Sequence, residues 1–163
     1  MAIRIIITGG TIDDLEYESP EDAPKEHKSF VPDLLKQSKI TLDYQADELL
    51  RKDSRHVNDD DRELVHQKCV ECSEEQIIIT HGTMTMPVMA KYLGQKNIPK
   101  TIVLLGAIIP ANKEKSDALF NLGAALSAVQ LLPHGVYVTM NGKIFSWDNV
   151  KKNTATGVFA ELN

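Results

Sequence analysis

The chain has 163 residues, 42 % of them hydrophobic and 25 % charged, with a net charge of −5. This describes a globular domain of ordinary size and argues against nucleic acid or an anionic membrane surface as a partner, since both reward lysine and arginine clusters. No apolar run approaches the ~18 residues of a membrane-spanning helix, the Ile3–Ile7 stretch is too short for a signal peptide, and two cysteines make no disulfide framework.

The expectation is one domain over residues 1–163, a cytoplasmic enzyme or binding protein. Residues 3–7 are β-branched and nearly continuous, which predicts a strand buried on both faces and closed by Thr8-Gly9-Gly10. Residues 13–29 are acidic, contain two prolines and hold almost nothing apolar. They read as a mobile lid or a disordered excursion with little to pack against. A short helix follows near 32–37. Ile40, Leu42 and Tyr44 alternate with polar residues and predict a strand toward the sheet edge. Asn58 or Asp59 caps a helix running to about Cys72, with Leu64, Val65, Cys69 and Cys72 facing inward. Ile77–Ile79 is a second buried strand, ending in Thr80-His81-Gly82. Pro87 suits the first turn of a helix that Gly94 ends. Residues 101–105 form a third buried strand. From Asp117, Leu119, Leu122, Leu126 and Val129 recur at helical spacing up to Pro133. Asn141-Gly142 marks a hairpin within 137–145. Strands alternating with helices imply an α/β fold with right-handed crossovers and a site at the carboxyl edge of a parallel sheet.

Two similar peptides follow two of these strands, Thr8-Gly9-Gly10-Thr11-Ile12 and Thr80-His81-Gly82-Thr83-Met84-Thr85-Met86. Each places a threonine just past a glycine. Glycine allows close backbone approach, and neighbouring N–H groups can face a developing oxyanion. A threonine hydroxyl attacks only when a base removes its proton. The plainer reading is two tight turns with threonine helix caps. Neither peptide fits the dinucleotide fingerprint or the phosphate-binding P-loop.

The two peptides resemble the signatures of the bacterial-type L-asparaginase family, specifically its N-terminal domain. The similarity continues through Val103-Leu104-Leu105-Gly106-Ala107, Ser116-Asp117-Ala118, Asn121-Leu122 and Val150-Lys151-Lys152-Asn153. The resemblance implies a three-layer α/β sandwich of flavodoxin-like (Rossmann-like) type with a central parallel sheet. It implies hydrolysis of a small carboxamide, L-asparagine or a related amide, with no metal and no cofactor. Thr11 matches the attacking threonine and Thr83 the second catalytic threonine. Lys152 matches the catalytic lysine, with Lys151 as the other register. Tyr17 matches a catalytic tyrosine on the first loop. Gly10, Asp53, Ser54, Gly82 and Met84 fall at substrate-binding positions, with Ser54 expected on the rim.

Two departures stand out. Met84 occupies the position of the family's aspartate, and the family's second domain has no counterpart within these residues. Asp13, Asp14 or Glu16 on the first loop are candidates to restore a carboxylate. A homodimer is expected from the open site. Two further readings remain: an impaired relative that binds a small carboxylate, or a same-fold enzyme acting on a different amide. Elsewhere, His66, Cys69 and Cys72 share one side of a helix and read as packing, since zinc wants further ligands. His81 reads as structural.

Overall fold

The structure, a computed structural model, describes residues 1–162. In chain order the elements are β1 (Ile3–Gly9), α1 (Val31–Gln37), β2 (Tyr44–Lys52), α2 (Asp59–Glu71), β3 (Gln76–Thr80), α3 (Met86–Gly94), β4 (Thr101–Leu105), α4 (Ala118–Leu131), β5 (Gly135–Met140), β6 (Lys143–Ser146), β7 (Lys151–Lys152) and β8 (Phe159–Ala160). Six strands form one sheet in the order β2-β1-β3-β4-β5-β6. The first five are parallel, and β6 returns antiparallel through Asn141 and Gly142, both at positive φ. Two consecutive positive φ values are what a two-residue hairpin turn of matching twist requires. β7 and β8 pair separately.

The alternation along the central strands sorts their side chains between two cores. Ile6, Ile77, Ile79, Ile102 and Leu104 pack under α2 and α3. Ile5, Ile7, Ile78, Val103 and Leu105 pack under α1 and α4. This is the three-layer α/β sandwich the alternation implied. Because β1 lies between β2 and β3, the chain switches direction across the sheet at β1/β3. A crevice opens at the carboxyl ends of these strands, the usual place for ligands in doubly wound sheets.

The structure corrects the expected helix phase, edge strand and first loop. Leu64 is 42 % exposed and Leu119 39 % exposed. Helical phase carries both outside the stripe held by Val65 and Cys69 on α2, and by Leu122, Leu126 and Val129 on α4. The edge strand begins at Tyr44 and runs to Lys52. Ile40 and Leu42 precede it and pack, partly buried, against the second core. The first loop is anchored at both ends, because Ile12, Asp13, Leu15, Tyr17 and Ser29 are all buried. Between Tyr17 and Ser29 most residues are exposed. Of the two caps open to α2, Asn58 is the one used: its side chain accepts from Asp61 N–H, and Asp61 returns the bond in a capping box.

Candidate active site

Glycine brings the two threonine loops together. Gly10 has φ +85° and ψ −171°, a region open essentially to glycine alone. A Cβ added there would lie 2.3 Å from Gly82 Cα, and one added at Gly82 would lie 2.5 Å from Ser54 Cβ. The backbone after β1 therefore touches the backbone after β3, which touches the segment after β2. Hydrogen bonds tie the same strand ends: Gly10 N–H donates to Lys52 O (2.9 Å), Thr8 Oγ1 to Thr80 O (2.7 Å) and His81 N–H to Leu105 O (2.9 Å).

All nine residues matched to the family's catalytic and substrate-binding positions line one cleft of about 440 Å³. Each of the two threonines makes one short polar contact there. Lys152 Nζ donates to Thr83 Oγ1 at 2.8 Å, and Thr11 Oγ1 donates to Glu16 Oε1 at 2.6 Å. Lys152 is the lysine brought to Thr83, while Lys151 is exposed. Burial lowers the Lys152 pKa below its ordinary value, against the raising pull of Glu16's charge. A lowered lysine pKa increases the share of neutral amine able to take a proton.

The remaining positions have contacts of their own. Ser54 is 3 % exposed and lies on the floor of the cleft instead of its rim; its Oγ accepts from Thr85 N–H. Asp53 is buried, and its carboxylate accepts from Tyr17 N–H and from the backbone and guanidinium of Arg55. Burial alone would raise the Asp53 pKa, but the Arg55 bonds and the backbone bonds together lower it. Tyr17 stacks on His56 with ring centres 4.9 Å apart, and its hydroxyl accepts from Asp53 N–H. The partner of Thr11 in the structure is thus Glu16, the residue before Tyr17. Met84 is 47 % exposed and presents only a thioether to the cleft. Of the three acidic candidates, Glu16 alone lines the cleft. Asp13 is buried and accepts from Ser29 Oγ and Phe30 N–H, while Asp14 accepts from Asn112.

His81 is fully buried behind the cleft. Its Nδ1–H donates to Gly82 O at 2.8 Å, Nε2 has no partner, and burial lowers its pKa to about 4. Cys69 is buried, with its thiol pushed up to about 12 by burial first, and Cys72 is half-buried. Among the described residues no three His, Cys, Asp or Glu side chains group as a metal set. No helix among them is long and apolar enough to cross a membrane.

Two residues of the cleft make contacts that the sequence does not mark. Glu16 reads there only as a substitute carboxylate, because a partner five residues away across a folded loop follows no periodicity. Arg55 is not singled out by the sequence, although a residue two positions after an aspartate can bond that aspartate in a turn.

Residues 2–160 match the family described as asparaginase, N-terminal. The chain is 28 % identical over 167 residues to a probable periplasmic L-asparaginase of Haemophilus influenzae, across 96 % of this chain and 47 % of that protein. It is 30 % identical over 151 residues to one component of the glutamyl-tRNA(Gln) amidotransferase of Methanococcus maripaludis, across 86 % of this chain and 35 % of that protein. The solved structure of the thermostable L-asparaginase from Thermococcus kodakarensis superposes with a TM-score of 0.86 at 26 % identity, covering 100 % of this chain and 52 % of that one. The chain spans about half the length, or less, of these relatives. With the family match running over nearly every residue, the chain belongs to the asparaginase family through its N-terminal domain.

Proposed function

We propose that this chain is an asparaginase-like amidohydrolase that converts a small carboxamide and water into a carboxylate and ammonia. Thr11 attacks the amide carbon and forms a threonyl ester. Thr83 and Lys152 handle the proton of the water that releases it. Backbone N–H groups around Gly10 and Gly82 face the oxyanion, and Ser54 and Asp53 shape the floor under the substrate. The observation that carries this reading is the 2.8 Å contact of Lys152 with Thr83 in the cleft that Thr11 also lines. A nucleophile and a lysine-backed hydroxyl on one cleft is the arrangement covalent amide hydrolysis needs. No metal or organic cofactor enters the scheme. We further propose that residues 1–163 act as a single domain, in the cytoplasm and as a homodimer, with a small-molecule substrate rather than nucleic acid or membrane as partner.

Ammonia release over a panel of amides tests the reading. Wild type should release ammonia from at least one ω-amide, and Thr11→Val should abolish it. Turnover unchanged in Thr11→Val would refute it. A second reading, a binding protein for small carboxylates, is favoured by Met84, which leaves a thioether where the family carries an acid. It predicts calorimetric binding of a dicarboxylate with no ammonia from any amide.

A further inference from the structure

We infer that Glu16 is the general base for Thr11, so that this chain supplies from its own first loop the carboxylate its nucleophile requires. The inference rests on the proposed amidohydrolase reading and assigns the proton acceptor of its first step.

The local geometry builds this pair. After β1 the chain makes one 3-10 turn over Thr11–Asp13, and Asp14 then adopts a left-handed conformation at φ 57°. Leu15 N–H closes the turn onto Gly10 O at 3.1 Å. The reversal returns the chain toward Thr11, and Glu16 Oε1 accepts the Thr11 hydroxyl at 2.6 Å. A neutral hydroxyl bonded to a carboxylate at this distance is a charge-assisted hydrogen bond, already aligned for proton transfer.

Glu16 is itself exposed, but its two neighbours fix it. Leu15 is 1 % exposed and Tyr17 8 % exposed. Tyr17 is held further by its stack on His56 and by bonds to Asp53 in both directions. The carboxylate therefore projects from a backbone pinned on either side. Other hydroxyls and bases in the cleft are committed elsewhere. The Tyr17 hydroxyl accepts from Asp53 N–H, the Asp53 carboxylate is engaged by Arg55, and Lys152 sits on Thr83. Glu18 is paired with Arg55. Glu16 is the acidic side chain of the cleft whose partner is a nucleophile.

The proton count closes. As Thr11 Oγ forms its bond to the amide carbon, its proton passes to the Glu16 carboxylate. As the carbon–nitrogen bond breaks, the same proton passes from Glu16 to the departing nitrogen, which leaves as ammonia. Glu16 is again a carboxylate, and the ester awaits the water handled by Thr83 and Lys152.

The test uses the full chain and an ω-amide that wild type hydrolyses. Glu16→Gln keeps a carbonyl oxygen able to accept from Thr11, so positioning survives and only basicity is lost. Its kcat should fall about a hundredfold or more, the range of general base catalysis, with KM changed by no more than about threefold. Glu16→Ala should be inactive alone and regain turnover in proportion to added formate, which a residue of merely structural role would not do. If Glu16→Gln retains kcat within about threefold while Thr11→Val is inactive, the nucleophile stands and Glu16 is not its base. If Thr11→Val is itself active, the amidohydrolase reading and this inference fail together.

Discussion

Acid should loosen this fold through His81. The ring is fully buried, its Nδ1–H is spent on Gly82 O, and Nε2 faces no acceptor. Protonation would put an unpartnered N–H and a charge into the wall behind the cleft, with the positive charge of Arg62 also opposing it. Burial takes the pKa from 6.5 in the free residue to about 4 in the fold. Between those values the unfolded chain holds the extra proton and the folded chain does not. Stability is therefore fully present above pH 6.5 and lost as pH falls toward 4, and the whole descent amounts to about 3 kcal/mol. His81→Asn keeps an N–H donor for Gly82 O and removes the titration. At pH 7.5 the variant should be less stable than wild type by about 1–2 kcal/mol for the smaller side chain. By pH 4.5 the gap should close or reverse. Urea unfolding of both proteins at half-unit steps from pH 7.5 to 4 reads this directly. Parallel stability curves for the two proteins would mean that His81 does not titrate on unfolding as its burial requires.

Four further outcomes are expected. Gly10→Ala must leave a glycine-only conformation and push its Cβ off the Gly82 backbone, 2.3 Å away; a loss of about 3 kcal/mol or more in urea unfolding is expected, and a loss under about 1 kcal/mol would count against the tight apposition of the two loops. Lys152→Met should lower kcat by about 10²–10⁴ while a single turnover of ammonia is still released. In wild type, kcat should rise with pH as Lys152 loses its proton, with a midpoint below 10.5 because burial lowers its pKa; a flat profile up to that pH would deny Lys152 the role of base. Met84→Asp should raise L-asparagine hydrolysis about tenfold or more, since a charged hydrogen bond to the α-ammonium contributes about 1.5–3 kcal/mol, whereas equal rates in the two proteins would remove Met84 from the account of substrate choice.

The buried strands are legible in the sequence because each is a short β-branched run stopped by glycine. The hairpin is legible because Asn141-Gly142 can occupy two positive φ values. The helical phase is less so. Leu64 and Leu119 match an apolar spacing as letters, but only packing decides which edge of the stripe meets the sheet, and both lie outside it. The edge strand is displaced because Ile40 and Leu42 alternate like a strand yet precede the register that pairs Ile3 with Tyr44. The first loop misleads more. Its composition is that of a mobile excursion, while Leu15 and Tyr17 are enough to anchor the part beside Thr11. Composition averages over a segment, and two buried side chains do not move the average. The cleft itself is largely readable, since the glycine–threonine peptides fall at neighbouring strand ends. What escapes is Glu16 on Thr11, a contact made by a reversal at Asp14 that no spacing rule marks.

In the proposed reaction Thr11 carries the acyl group. Lys152→Met, in which release of the ester is slowed, should be mixed with an ω-amide substrate, quenched in acid within a single turnover, digested and weighed. An adduct of substrate less ammonia is expected on the peptide bearing Thr11, absent when Thr11→Val is added. An adduct on the peptide bearing Thr83, or a full equivalent of ammonia with no adduct on either, would contradict it.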